Sequence, residues 1–487
     1  MTYRRRIGMI ATDISQRPWF SYALLFLITS LAAAFRFYKL GVWSFWIDEL
    51  FTIDHATAHF STPQLILDNI PPVRNWVPVS VISAAQVLRV LGVNEWSARL
   101  TSVLMGTLSI PILYFPTRRI FGDRVGLIAS LLMAVSPWHI FSSQNARFYT
   151  SLLLFYSLAV FAFHFGLERN KPGYIMAFCF LLYLAASERL TALFICPVIA
   201  AYVVALWVFR FERPPGLHLK ILLLIGSPVL AGGLIEAYSW IAHGESKFFA
   251  DFRWFFQYHV DDPFRLLVFV CNNFGIPLMV MAVFSGFFLF HNRSRPGLLM
   301  LMSAIVPLLI LMLANFFIFT KDRYVFMTLY SWIILAAVGI NEIMSILKGN
   351  VGWLAAGIFF VLFVHAGNDL LLYYTVNQGD RLPWKSAFTV VQERADEQDN
   401  VVAFWPEFSP YYLNHDIIAY KDVDPDTVLK SGKRYWFVMD SETIWTNDKM
   451  KSWLEQNAVL IDVWYLRRPE NNFLRVYFFD PNQTTNP

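Results

Sequence analysis

Runs of apolar residues long enough to cross a bilayer constrain this chain more than any other feature. A helix needs roughly 17–25 such residues to span the hydrocarbon core, and only a helix satisfies its backbone there residue by residue. Eleven runs of 15 to 27 residues come near enough to that length to be read as spans: Trp19–Tyr38, Leu100–Pro116, Val125–Phe141, Thr150–Leu167, Pro172–Ala186, Thr191–Phe209, Leu219–Ile241, Phe264–Phe290, Leu298–Phe319, Tyr324–Leu347 and Trp353–Leu372. With 56% hydrophobic and 15% charged residues, the 487-residue chain reads as a polytopic helical membrane protein. No small-residue cleavage site follows the first run, so that run is expected to stay as a span.

The basic residues orient it. Arg4, Arg5 and Arg6 place the N-terminus in the cytoplasm, and Arg118, Arg119 and Arg124 place the loop "TRRIFGDR" there too. An even number of crossings must separate them, and Trp19–Tyr38 and Leu100–Pro116 already supply two. Val77–Leu91, short and carrying Ser80, Ser83, Gln86 and Arg89, is therefore expected to lie on the outer surface as an amphipathic helix. The later clusters then fall inside: Arg169 and Lys171; Arg210, Arg213 and Lys220; Arg293 and Arg295; and Lys348. A multi-pass plasma (inner) membrane protein follows, with its C-terminal segment extracytoplasmic.

The division is a transmembrane domain over 1–375, whose first external loop is 41–99, and a small α/β domain over 376–487. In the latter, "VVAFW", "RYWFVM" and "FLRVYFF" read as strands and "KMKSWLEQN" as helix. Cys179, Cys196 and Cys271 sit in apolar stretches without a CxxC pair, which argues for buried thiols and against disulfides or zinc. The small net charge of +4, spread in loop clusters, gives no footing for nucleic acid.

Charge gathers at one end of the spans. Asp48, Glu49, Arg99, Arg147, Glu188, Arg189, Lys321, Asp322 and Arg323 all fall at predicted extracytoplasmic ends, while Glu236 and Glu342 lie near predicted span ends. A transporter of lipids or sugar-lipids is expected to keep ionisable groups at mid-span and internal repeats, neither of which is evident here. A non-catalytic assembly scaffold is the other alternative. Acids and cations at a single depth suit a catalytic cleft at the membrane surface.

The sequence also resembles a family. "FRFYKLGVWSFWIDELFTIDHA", "IPPVRNW", "NEWSARLTSVLMG", "SPWHIFSSQNARFYT" and "KDRYVFMTLYSWIILAAVGI" are similar, in order and spacing over about residues 35–340, to GT-C glycosyltransferases of the protein mannosyltransferase and aminoarabinose-transferase type. The family's His before the Pro pair is Ile70 here, and no WWD-type motif follows the last span, which argues against an oligosaccharyltransferase. The resemblance implies transfer of one sugar from a polyprenyl-phosphate donor to an extracytoplasmic lipid, glycan or protein.

Such a reaction needs a base for the acceptor hydroxyl and fixed cations for the leaving phosphate. The family motif places the catalytic Asp first in its pair, so the resemblance assigns Asp48 as base and Glu49 as its support, with inversion at the sugar. Arg323 and Lys321 are the foremost phosphate ligands, followed by Arg147 and by Tyr149 as a hydroxyl donor. Where some relatives carry a second acid, this chain has Gln144 and Asn145; Glu188 is the alternative second acid. No cofactor is expected, and no residue set supports a divalent metal. Plainer readings stand beside these. Asp48–Glu49 could cap a helix, the cations could anchor headgroups, Arg99 could pair with Glu95 or Glu49, and Glu188 with Arg189.

Overall fold

The computed structural model describes residues 18–61, 78–226, 264–317, 320–346, 366–413, 415–441, 448–466 and 473–482, together with 238, 241, 262 and 364. Arg4, Arg5, Arg6, Ile70, Pro71–Pro72, Glu236, Lys348 and most of the expected spans Leu219–Ile241 and Trp353–Leu372 lie outside them. The described residues form two compact units. Those within Met1–Tyr38, Ala58–Val87 and Arg99–Gly367 make the first, and those within Lys39–Thr57, Leu88–Ala98 and Asn368–Pro487 the second.

The first unit is helical. Among the described residues, six helices are long and apolar enough to cross a membrane: Trp19–Phe37, Glu95–Phe121, Tyr149–Arg169, Leu190–Val208, Arg295–Ala314 and Phe326–Ser345. Two more candidate spans are bent pairs, Asp123–Val135 with Pro137–Ser143 at 62° and Arg265–Phe274 with Ile276–His291 at 101°. The apolar runs Val125–Phe141 and Phe264–Phe290 continue straight through both breaks, and the local chemistry explains them. Pro137 forces Ser136 out of the helical region (ψ 116°), and Gly275 takes a φ of 97° just before the turn that holds Pro277. The first break exposes carbonyls that a helix would have used. Arg36, wholly buried at the end of the Pro18–Phe37 helix, donates to Met133 O (3.0 Å) and Ala134 O (3.1 Å).

Val79–Leu91 is a helix of 13 residues, about 20 Å at 1.5 Å per residue, against roughly 30 Å of hydrocarbon. Tyr149–Arg169 and Phe326–Ser345 are the most enclosed of the long helices. The latter packs tightly on Ile276–His291: a Cβ on Gly339 would lie 2.6 Å from the carbonyl oxygen of Met281.

The second unit carries a five-stranded sheet in the order β2-β1-β3-β5-β4, built from β1 (Asn400–Ala403), β2 (Ile417–Ala419), β3 (Tyr435–Asp440), β4 (Val459–Tyr465) and β5 (Phe473–Phe479). β1 pairs in parallel with β2 and β3, whereas β5 runs antiparallel to β3 and β4. Every residue of β3 is buried, as a central strand covered on both faces requires. The helix Asp448–Asn457 supplies Met450 and Leu454 to the core with Phe437, Met439 and Tyr477. The three strands and one helix expected from sequence are all present. β2, only three residues long, and the exposed edge strand β4 carry weaker signals.

Candidate active site

The turn after Gly41 leads into the helix Ile47–Ser61, whose first turn, with Asp48 and Glu49, belongs to the second unit. The two acids part at once. Glu49 is fully buried and Asp48 only half so. Glu49 Oε2 accepts the backbone N–H of Trp46 (2.9 Å), one half of a capping box, and lies 3.6 Å from Nε of Arg381. Asp48 stays half-exposed in the first helical turn, where the helix N-terminus favours negative charge.

In the first unit, two turns bring Arg147 and Arg323, two of the expected cations, to one place. The turn before Tyr149–Arg169 is pinned by Ser102, whose hydroxyl donates to Arg147 O (2.9 Å) and whose carbonyl accepts from Thr150 (3.1 Å). The turn "KDRY" is pinned by Asp322, which accepts from the Asn273 side chain and from the Arg323 N–H (2.9 Å). Arg147 Cζ lies 5.0 Å from the Phe148 ring centre, and Arg323 Cζ 6.0 Å from that of Tyr324. Between them sits Arg189, 5.3 Å from Phe148 and 4.4 Å from Tyr324. Lys321 leads into the Asp322–Tyr324 turn, half-buried and extended.

The sequence offers Glu188 as a partner for Arg189, but the two side chains part. In the structure burial draws the Arg189 guanidinium below the ordinary arginine range, with Tyr324 and Tyr149 opposing and Arg323 and Arg147 adding to the drop. Three guanidiniums close enough to repel are the arrangement that a dianion stabilises. The signal was present in "SERLT": an arginine at a predicted span end, on the same face as "NARFY" and "KDRY". Tyr149 is buried beside it, and its hydroxyl takes no hydrogen bond from the protein among the described residues.

Glu188 turns elsewhere. Its carboxylate accepts the backbone N–H (3.0 Å) and the hydroxyl of Ser80, in the first turn of Val79–Leu91, so it caps that helix from across the unit. Glu188 lies past the apolar run Pro172–Ala186, and burial pushes its carboxyl up to about 7, with the Ser80 bonds pulling the other way. Gln144 is fully buried, and its amide nitrogen donates to the carbonyls of Arg36 (2.9 Å) and Tyr38 (2.9 Å) that close the first helix. A carboxylate could not donate there. Among the described residues no three His, Cys, Asp or Glu side chains group as metal ligands do.

Residues 70–231 match the family model of dolichyl-phosphate-mannose-protein mannosyltransferase. By sequence, no curated protein matches the chain. Among solved structures it is similar to ArnT from Cupriavidus metallidurans in the apo state (TM-score 0.56, 15% identity, covering 93% of this chain and 98% of that one). The same enzyme bound to undecaprenyl phosphate gives a TM-score of 0.55 at 15% identity over 92% and 97% of the two chains. The apo oligosaccharyltransferase of Archaeoglobus fulgidus gives 0.56 at 12% identity over 97% of this chain and 75% of that one. The chain is thus a multi-pass membrane protein with the fold of the GT-C glycosyltransferases, and its residues 70–231 carry the sequence pattern of the mannosyltransferase family.

Proposed function

We propose that this chain moves one sugar from a polyprenyl-phosphate donor to an acceptor hydroxyl at the extracytoplasmic face, inverting the anomeric centre. The acceptor oxygen attacks the anomeric carbon and its proton passes to Asp48. The bond from that carbon to the phosphate oxygen breaks, and its electron pair leaves on the phosphate. Arg147, Arg189, Arg323 and Lys321 take up the charge that develops there, and the Tyr149 hydroxyl donates to phosphate or sugar.

The observation that carries this reading is the cluster of three guanidiniums laid on Phe148 and Tyr324. Fold and pattern support it: the family model is named for a polyprenyl-phosphate sugar, and one similar structure holds undecaprenyl phosphate. Transfer runs without a divalent metal in this reading, since guanidiniums neutralise the leaving group. The acceptor is a lipid, glycan or protein hydroxyl.

The test is transfer from radiolabelled polyprenyl-phosphate sugars in membranes, with and without chelator, comparing wild type with Asp48→Asn. Loss of a positioned base should cost about 10²–10⁴ in rate. Equal transfer by the variant removes the mechanism.

A further inference from the structure

We infer that Arg381 is a positioning residue that holds the Asp48 turn through Glu49, an inference that rests on Asp48 being the base. Every group involved belongs to the second unit. The Arg381 side chain is 2% exposed and that of Glu49 0%, so the ion pair between them is sealed from solvent. A sealed pair tolerates the loss of neither partner alone, because the survivor is left as a buried charge. Glu49 passes this constraint on. The same oxygen that faces Arg381 accepts the Trp46 N–H, which fixes the start of the helix two residues before Asp48.

The turn that presents Arg381 is itself costly. Gln378, Gly379 and Asp380 have φ of 48°, 69° and 57°, three left-handed residues in succession of which one is glycine. Such strain persists where surrounding contacts impose it and gathers at functional sites. Here the contact is visible. A Cβ on Gly379 would lie 2.5 Å from the Trp43 ring, so the backbone of this turn seats directly on the indole. The indole is held in turn, since Trp43 stacks on Tyr374 with centroids 5.8 Å apart.

The two residues after Trp43 are tied to the same C-terminal stretch. Ser44 Oγ accepts the Lys385 N–H (3.0 Å), and the Phe45 N–H donates to Tyr412 Oη (2.7 Å). Tyr412 Oη in turn donates to Glu95 (3.2 Å), which Lys385 Nζ also meets at 3.1 Å. Residues 43–46 and 49 thus take their conformation from a segment more than three hundred residues later in the chain. The stretch 373–412 is a clamp on the base-bearing turn, and Arg381 is its buried bolt.

The experiment uses the full chain in nanodiscs and reads two things, hydrogen exchange of amides 43–49 and transfer kinetics. Arg381→Met is expected to raise exchange there at least tenfold, leave β1 and β3 protected, and lower kcat at least tenfold with donor KM within twofold. Adding Glu49→Gln keeps an acceptor for Trp46 and removes the stranded charge, so the double variant regains protection and kcat to within threefold of wild type. If Arg381→Met fails to accumulate, Glu49→Gln alone is read by the same exchange, with a rise confined to 43–49 expected. Unchanged exchange at 43–49, equal loss of protection in β1 and β3, or a double variant no better than Arg381→Met would overturn the inference. If Asp48→Asn transfers like wild type, the base assignment falls, and the exchange arm still decides whether Arg381 holds the turn.

Discussion

Replacing Glu188 by Gln tests, in one variant, whether this buried acid caps a helix or does chemistry. Its carboxyl is pushed from 4.5 to about 7 by burial. At about 1.36 kcal/mol per unit, holding it ionised in the folded state costs about 3 kcal/mol. The sign follows from linkage: a folded pKa above the unfolded one gives a contribution present below about pH 4.5 and lost as pH rises through about 7. Wild type should therefore lose stability between pH 5 and 8.5. Gln copies the protonated form: its carbonyl still accepts the Ser80 N–H and its amide donates to the Ser80 hydroxyl, which can accept. The variant should match wild type near pH 5 and exceed it at pH 8.5. With unfolding entropy of about 2.1 cal/mol/K per residue, 3 kcal/mol over this chain is about 3 °C in Tm. Scanning fluorimetry in nanodiscs from pH 5 to 8.5 reads the shift. Transfer, assayed in parallel, should stay within a few-fold of wild type. A variant that tracks wild type at every pH and has lost transfer would refute the capping role and return Glu188 to the catalytic acids.

Other variants probe the remaining assignments. Arg189→Ala should raise donor KM about 10–100-fold, and Arg189→Lys should recover only part, because an ammonium does not fork to two phosphate oxygens and has no planar face for the Tyr324 ring, 4.4 Å away. An Arg189→Ala enzyme with wild-type KM would remove it from the donor site. Gln144→Glu would set a carboxylate against the carbonyls of Arg36 and Tyr38; it should destabilise by about 1–3 kcal/mol and add no activity, as thermal unfolding and transfer would show. In the second unit, Asp399 accepts from Arg434 Nε (2.7 Å) and Trp436 Nε1 (3.0 Å), and although burial opposes ionisation these bonds hold its carboxyl below the ordinary value of 3.8. Its contribution is present above about pH 3.8 and lost as pH falls through the depressed value. Asp399→Asn should weaken protection of β1 and β3 by about 1.5–3 kcal/mol at neutral pH, read by exchange, and flatten the acid limb. Gly339→Val should prevent stable packing against Met281, seen as loss of a monodisperse species on size exclusion.

What the sequence disclosed and what it hid divide along a physical line. Span positions were legible because the bilayer demands long apolar runs, and the strands of the small sheet because buried central strands read as apolar blocks. The bends at Ser136 and Gly275 were also written in the chain, as "SP" and "GIP", but averaging over a long window dilutes one proline among apolar neighbours. Cation roles were harder. An arginine that stacks on an aromatic ring and one that snorkels to a headgroup have the same local sequence. Arg189 separates from a neighbouring acid only when the fold sends Glu188 to Ser80 and Arg189 to Tyr324.

The same logic explains why the pair Asp48–Glu49 needed a structure to be resolved. Adjacent residues at a helix start are about 100° apart around its axis, so Glu49 can be wholly enclosed while Asp48 beside it stays half-exposed. Two carboxylates facing one cleft would raise each other's cost of ionisation; one buried against a guanidinium and one left accessible avoid that conflict. The partner that makes the division work is Arg381, in a segment with no resemblance motif of its own. A residue that acts by fixing another's geometry leaves no chemical signature in its own sequence, only a buried charge and a strained turn. The C-terminal stretch 373–412 therefore shows its part only in contacts: a buried guanidinium facing Glu49, a backbone turn seated on Trp43, and hydrogen bonds with Ser44 and Phe45.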